Sequence, residues 1–194
     1  KNTPAKTYHG AFGPDMFCDF VIDFADKHKN GKPFFIYYPM VLTHVPFTTT
    51  PLEPNVETNI DKHKAMVRYS DHLLGKLTKA LDEMSIREDT LIIFTSDNGT
   101  APNIKGHIGQ REITGGKGRT IEPGVNIPFI ANWRGTVPQG VESNALIDFT
   151  DMIPTFAEIA GKEVPGFEKV DGSSIANYLK GETSDGQRDW ILSM

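Results

Sequence analysis

Asp97 and Asn98 are adjacent residues whose side chains could bind a metal ion. A carboxylate and a side-chain amide both offer oxygen atoms, which hard divalent cations such as Ca²⁺ and Mg²⁺ prefer as ligands. These cations take about six or more ligands, so the other oxygens of such a site would come from elsewhere. Gly99 follows the pair, and Asp-Asn-Gly is also a common turn sequence. The motif alone leaves a metal site and a simple turn both open.

Two further side chains carry groups suited to an anion. His44 lies two residues before Pro46, and an imidazole there can donate a hydrogen bond or act as a general acid. Lys117 lies between two glycines, which let a ligand approach the backbone beside the ammonium group. Taken alone, each residue is also compatible with an ordinary solvated loop. The motif G-x-x-x-x-G-K-[ST] is absent, so Lys117 does not belong to a P-loop.

The other histidines and the single cysteine offer weaker indications of chemistry. His107 falls in a long glycine-rich stretch and is a candidate substrate contact. We expect His63 and His72 on the solvated face of a long helix, and Cys18 in the core. One cysteine supports neither an intrachain disulfide nor a cysteine-rich metal site.

Alternating helical and strand-like segments predict an α/β fold with a mostly parallel sheet between helices. Apolar spacing or a terminating glycine predicts helices at residues 15–29, 61–84, 151–160 and 173–180. Short apolar runs predict central strands at residues 34–38, 90–95 and 127–131. The stretch 101–124 is predicted to be a long irregular loop. His44, Asp97 and Asn98 then follow the carboxyl ends of strands, where sites lie in open α/β sheets.

Composition and charge argue against several classes of protein. The 194 residues include 20 Lys and Arg against 25 Asp and Glu, and no basic cluster favours a nucleic-acid partner. The proportions of hydrophobic (38%) and charged (23%) residues are typical of a globular domain. The longest apolar runs are about ten residues, whereas a membrane-spanning helix needs about 20, so we expect no membrane span.

Taken in order, the segments that carry these residues resemble those of the sulfatase family in the alkaline phosphatase superfamily. The matching segments are PFFIYY at 33–38 leading to HVPF at 44–47, FTSDNG at 94–99, GGKG at 115–118 with Glu122, PFIA at 128–131, DFTDMIPT at 148–155 and DGSS at 171–174. Their order and spacing agree along nearly the whole chain. The resemblance implies an alkaline-phosphatase-like fold.

The resemblance also implies a chemistry. Such enzymes hydrolyse sulfate esters with a formylglycine hydrate made from a Cys or Ser, and a divalent cation, usually Ca²⁺, polarises the sulfate. By position, Asp97 and Asn98 look like two ligands of that cation. Lys117 looks like a sulfate-binding cation, and His44 like the histidine that contacts the sulfate or assists the leaving group. We predict His44 and Lys117 as catalytic residues and, with His107, as contacts to a sulfated small molecule or glycan.

The departures from the family pattern concern the nucleophile. The family motif of Cys or Ser followed by x-Pro-x-Arg is absent, and residues 19–22 after Cys18 contain neither Pro nor Arg. The paired acidic ligands that the family carries near its N-terminus are absent too. We therefore interpret residues 1–194 as one partial sulfatase catalytic domain without the nucleophile segment, and expect the isolated chain to be inactive. The loss of the N-terminal strands would expose a sheet edge or a helix-packing surface. We therefore expect marginal stability, or a homo-oligomer that covers this surface.

Two alternatives stay open. A phosphoester or phosphonate hydrolase of the same superfamily would share the metal and the fold, but x-Pro-x-Arg after a Cys or Ser would mark a sulfatase. A non-catalytic relative would bind sulfated glycans without turnover, even as the full-length protein. No residue identifies the sulfate ester. The resemblance alone suggests a periplasmic or secreted location.

Overall fold

The computed structural model describes residues 6–164, 170–184, 186 and 188–193. The chain forms two compact units, Lys1–Arg87 and Glu88–Met194. The first unit is built on two helices, and the four strands formed by the described residues all lie in the second. None of the helices in these ranges combines the length and the apolarity that crossing a bilayer requires.

The two helices of the first unit are α1 (Gly13–His28) and α2 (Asn59–Glu83), close to the predicted spans. Pro14 lies in the first turn of α1, where its missing N–H costs no intrahelical hydrogen bond. Thr58 caps α2, because its hydroxyl oxygen accepts a 3.1 Å hydrogen bond from the backbone N–H of Asp61. Apolar spacing and capping residues thus account for both helices.

A small core joins α1 to α2. Cys18 is fully buried, as predicted, and packs with Tyr69 and Leu73. Its thiol donates to the backbone carbonyl of Leu73 across 3.6 Å. The Tyr69 hydroxyl donates to the carboxylate of Asp15 at 2.7 Å, and Phe12 meets the Tyr69 ring edge-on at 5.2 Å. These contacts bind the first two turns of α1 to the middle of α2.

Residues 34–38 do not form the predicted central strand. They run extended along α1, where the Phe34 ring meets Phe24 edge-on at 5.8 Å. Phe35 and Tyr37 are 67% and 80% exposed. The segment is therefore covered on one face only, whereas its apolar sequence predicted burial on both.

The second unit contains two antiparallel strand pairs. β1 (Ile92–Thr95) pairs with β4 (Phe129–Asn132), and both fall within two residues of the predicted strands. β2 (Lys105–Ile108) and β3 (Arg111–Thr114) form a hairpin where a loop was predicted. The hairpin escaped prediction because its strands are short and almost wholly exposed, so they carry little apolar signal. The described pairs do not confirm a parallel sheet.

Three short helices complete the second unit. They are α3 (Glu122–Val125), α4 (Met152–Ile159) and α5 (Ala176–Leu179), the last two inside predicted helical spans. A 3₁₀ turn, Phe149–Asp151, leads into α4 and is closed by reciprocal hydrogen bonds between Asp148 and Asp151. Capping therefore determines where this helical segment begins.

Asp151 is a buried carboxylate that links α4 to the later part of the chain. It is 0% exposed and accepts hydrogen bonds from Arg188 at 2.7 Å and from the backbone N–H of Ser173 at 2.9 Å. Burial raises the pKa of Asp151, but the hydrogen bonds from Arg188, Ser173 and Asp148 outweigh burial and hold that pKa below its usual value. No local pattern in the sequence indicates this ion pair, because its partners lie 37 residues apart.

Candidate functional site

Three segments of the second unit, two loops and the short helix α3, meet at a junction of backbone atoms beyond β1. The N–H of Gly99 donates to the carbonyl of Gly124 at 2.9 Å. The N–H of Lys117 donates to the carbonyl of Thr100 at 3.0 Å. The turn that follows β1 is therefore bound to α3 and to the glycine-rich loop that carries Lys117.

The junction requires glycine because the backbones lie too close for side chains. A Cβ on Gly99 would lie 2.0 Å from the carbonyl oxygen of Pro123, and one on Gly115 would lie 2.1 Å from that of Ala101. Gly124 is in a similar position, because a Cβ there would lie 2.1 Å from the carbonyl oxygen of Arg119. The glycines thus have a structural role, which is to let three segments of main chain pack directly on one another.

Asp97 and Asn98 lie in the turn directly after β1, at the edge of this junction. Asp97 is exposed and Asn98 is half-buried. The Ser96 hydroxyl donates to the backbone carbonyl of Asn98 at 2.8 Å, which closes the turn without using either side chain. Within the described residues, neither the carboxylate of Asp97 nor the amide of Asn98 hydrogen-bonds to a protein group. Their oxygen atoms are available to a ligand.

The donor set at this turn fits part of a hard-cation site. Carboxylate and amide oxygens are the right ligands for Ca²⁺ or Mg²⁺, but two residues do not complete the coordination of either ion. Across the described parts of the chain, no group of three His, Cys, Asp or Glu side chains could hold a metal ion. Asp97 and Asn98 can therefore contribute two ligands of such a site.

Lys117 has a fixed backbone and an unneutralised charge. Besides the hydrogen bond to Thr100, the loop is closed by Arg119, whose N–H donates to Gly116 at 2.9 Å. Lys117 is half-buried and forms no ion pair with a described carboxylate. The nearby cations differ, since Lys105 binds Glu112 at 2.9 Å. The Lys117 ammonium is thus free to attract an anion.

His44 belongs to the first unit, and its imidazole is exposed. Its Nδ1 lies 2.7 Å from the backbone oxygen of Val45. Because a carbonyl only accepts hydrogen bonds, Nδ1 must carry the proton, which leaves Nε2 for a ligand. The structure brings the segments of Asp97, Asn98 and Lys117 together, and the convergence of His44 with them stays a prediction.

The loop 43–58, which carries His44, is held on α2. The Phe47 ring meets His63 edge-on, with centroids 5.3 Å apart. The carboxylate of Glu53 accepts from Arg68 Nε at 2.7 Å and Nη2 at 2.5 Å, and these bonds hold the pKa of Glu53 below its usual value. The predicted solvated position of His63 is wrong, because this ring is half-buried and burial lowers its pKa.

His107 lies on β2, exposed, opposite Glu112 on β3. The Glu112 carboxylate also accepts a 2.9 Å hydrogen bond from Lys105, the neighbour of His107 on the same face of the hairpin. The hydrogen bond and charge of Lys105, with a smaller contribution from His107, lower the pKa of Glu112. The hairpin therefore presents Lys105 and His107 beside one carboxylate.

Comparison with known proteins assigns the chain to a family. The family model described as Sulfatase matches residues 10–162. Arylsulfatase G of Mus musculus is 30% identical over 184 residues, which cover 89% of this chain and 35% of that protein. N-acetylgalactosamine-6-sulfatase of Canis lupus familiaris is 31% identical, with coverage of 82% and 31%. The chain belongs to the sulfatase family, a family of sulfuric ester hydrolases.

Solved structures agree on the fold. The structure of Ps i-CgsB in complex with k-i-k-neocarrahexaose superposes with a TM-score of 0.79 and 28% identity, over 93% of this chain and 41% of that chain. The PsFucS1 sulfatase from Pseudoalteromonas sp. gives a TM-score of 0.63 at 28% identity, with coverage of 90% and 36%. The chain thus has structural neighbours of alkaline-phosphatase-like fold, and it spans about a third of the length of the curated relatives it matches.

Proposed function

We propose that this chain is part of an enzyme that hydrolyses sulfate esters of a small molecule or glycan. The observation that carries the proposal is the glycine junction, which binds the loop of Lys117 to the turn of Asp97 and Asn98 in a chain of the sulfatase family. A turn with free oxygen ligands and a loop with an unneutralised ammonium lie side by side. Sulfuryl transfer needs such a combination, because negative charge on the sulfate oxygens must be stabilised.

In this proposal Asp97 and Asn98 are two ligands of a divalent cation, Ca²⁺ in the first place and Mg²⁺ as the alternative. The bound cation would supply the Lewis acid that polarises the sulfate. Lys117 binds a sulfate oxygen through its ammonium group. His107, on the exposed hairpin, contacts the substrate beyond the sulfate.

His44 contacts the sulfate or assists the leaving group in this proposal. With Nδ1–H held by the carbonyl of Val45, Nε2 is the atom that faces the substrate. When protonated, Nε2 donates a hydrogen bond or a proton to an ester oxygen, and the bond at Nδ1 keeps the ring oriented. Neutral His44 offers only a lone pair at Nε2, so this role requires the imidazolium form.

The formylglycine nucleophile, in our proposal, lies outside residues 1–194, which form one partial sulfatase catalytic domain. We do not propose Cys18 as its precursor, since residues 19–22 contain neither Pro nor Arg, and its full burial in the core supports this reading. The coverage of about a third of the curated relatives supports this division. In the complete domain the strands would join a mostly parallel sheet between helices, and the family suggests a periplasmic or secreted enzyme.

Two measurements on the isolated chain test the proposal. We expect no turnover of a chromogenic sulfate ester with added Ca²⁺, and weak calcium binding by calorimetry, with a dissociation constant on the order of 10⁻³ M. Asp97→Ala should abolish the binding, whereas Asp89→Ala, at an exposed acid before β1, should not. Metal-dependent turnover by the chain alone would contradict the placement of the nucleophile. In the complete protein, turnover of phosphate esters but not sulfate esters would favour a phosphoester hydrolase.

A further inference from the structure

The loop 43–58 has little regular structure of its own. Its sequence is rich in Pro and Thr, and the strand-like pairing that the structure describes within it is one isolated bridge between Thr50 and Glu53. A loop of this kind takes its conformation from the contacts it makes with neighbouring elements. The conformation around His44 therefore depends on how the loop is held against α2.

The first contact is the ion pair between Glu53 and Arg68. The planar guanidinium donates two parallel hydrogen bonds to the carboxylate, an arrangement that fixes orientation as well as distance. The backbone of Glu53 also pairs with Thr50, which is only 2% exposed. Arg68 thus holds a closed, partly buried turn of the loop and not merely one side chain.

The second contact is the edge-on packing of Phe47 on His63. Phe47 lies three residues after His44, so this contact restrains the chain close to the imidazole. His63 and Arg68 are five residues apart on α2, which corresponds to a rise of about 7.5 Å. Two contacts separated along one rigid helix restrain the tilt of the loop as well as its position.

We propose that Arg68 and His63 are positioning residues that hold His44 in place through the loop 43–58. The inference rests on the proposed function, in which His44 contacts the sulfate. An exposed ion pair adds little to the stability of a fold, so the contribution of Arg68 falls on the loop and not on global unfolding. Small displacements of a catalytic group reduce the rate strongly, which gives these two contacts a role in catalysis.

The test uses the chain of 194 residues and reads His44 directly by NMR. In the wild type, ¹⁵N spectra of the imidazole should show the Nδ1–H tautomer that the contact with Val45 requires. Arg68→Ala and His63→Ala should each shift His44 toward a mixture of tautomers and speed amide exchange in residues 44–53 by about tenfold. Arg68→Lys should recover little of this order, because an ammonium cannot form the two-bond fork.

Lys79→Ala is the matched control, since it removes another exposed ion pair of α2, with Glu83, and leaves the loop contacts intact. Unchanged His44 spectra and loop exchange in both variants, as in Lys79→Ala, would overturn the inference. So would global unfolding of Arg68→Ala, because its effect would then not be local.

Kinetics of the complete protein separate this inference from the proposed function. Arg68→Ala should lower kcat by about tenfold with little change in KM. If the loop loosens as expected but His44→Ala keeps full sulfatase activity, the role given to His44 fails while the loop contacts stand. If His44→Ala is inactive but Arg68→Ala leaves the loop unchanged, the positioning role fails alone.

Discussion

Lys117 has a backbone fixed by a hydrogen bond and, among the described residues, an ammonium group without an ion pair. We therefore expect its loss to reduce activity more than the loss of any other residue of the candidate site. In the complete protein we expect Lys117→Ala to lower kcat/KM for a sulfate ester by about 10²- to 10³-fold, because one preorganised charge at a developing oxyanion has this effect. Steady-state kinetics measure it. Lys105→Ala removes an ammonium already paired with Glu112 and should change the same constant little. Equal losses in the two variants would show that Lys117 acts only through the general field.

At the scale of single residues, the sequence predicted some burials correctly but did not predict contacts between a helix and a distant loop. The full burial of Cys18 and the exposure of His72 agree with prediction. His63 was placed in solvent because the spacing of apolar residues shows which face of a helix is buried but not which loop covers the rest. The partnership of Arg68 with Glu53 was missed for the same reason, since no local pattern records a contact between a helix and a distant loop.

At the scale of the elements, the glycine junction gives the clearest prediction about the free energy of unfolding. Gly99→Ala should destabilise the second unit by about 2 kcal/mol, because the new methyl group would overlap the carbonyl oxygen of Pro123. Gly106→Ala is the matched control, since a Cβ there meets nothing within 4 Å, and it should stay within about 0.5 kcal/mol of the wild type. Urea unfolding of the chain measures both. Similar midpoints for the two variants would contradict the close approach.

The ion pair between Asp151 and Arg188 gives the second unit a dependence on pH. The pKa of Asp151 is depressed in the folded chain, so its stabilisation is present above the unfolded pKa of about 3.9 and is lost as pH falls through the folded value. At pH 7, Arg188→Ala should cost about 3 kcal/mol, because it leaves a buried charge unpaired. As pH falls the difference from the wild type should shrink, because without Arg188 the buried Asp151 takes up a proton at a higher pH in the variant, whereas in the wild type it does so only below the unfolded pKa of about 3.9.

Urea unfolding of the chain between pH 3 and pH 7 tests this dependence, with Arg119→Ala, at an exposed arginine of the same unit, as the control. A constant difference between Arg188→Ala and the wild type over that range would show that the pair contributes nothing through charge.

Helices were easier to predict than strands because their signal is local. Apolar spacing located α1 and α2, and the terminating glycine located α4. The β2–β3 hairpin carries polar and exposed residues, so the composition of residues 101–124 indicated only a loop. In the candidate site, too, local features could be predicted from the sequence and contacts between distant segments could not. The spacing of glycines around Lys117 was visible, but the carbonyl groups that demand those glycines belong to segments that only the fold brings together.

At the scale of the whole molecule, the feature that favours association is an apolar face on the first unit. Phe20, Phe35 and Tyr37 are each more than 65% exposed and line, with Phe24, a shallow cavity of about 210 Å³. Contiguous apolar surface on a soluble protein favours association. We therefore expect the isolated chain to form a homo-oligomer in a concentration-dependent way, as sedimentation equilibrium would show.

Charged substitutions on this face provide the control. Tyr37→Lys should shift the chain toward monomer, because it places a charge on the apolar face. Leu52→Lys replaces an exposed apolar residue that does not line the cavity and should leave the association unchanged. A monomer at every concentration would contradict the expectation.

The base of the β2–β3 hairpin is closed by a hydrogen bond of 2.9 Å from the N–H of Gly115 to the carbonyl of Ile104, whose side chain is buried. The hairpin therefore leaves and rejoins the junction at one hydrogen-bonded point, and a Cβ at Gly106 or Gly109 within it would meet nothing within 4 Å. We therefore expect insertions, deletions or charge changes in the hairpin to leave the neighbouring turn and the loop of Lys117 in place. If the hairpin contacts the substrate as we propose, substrate preference can therefore change while the groups proposed to bind the sulfate stay in place.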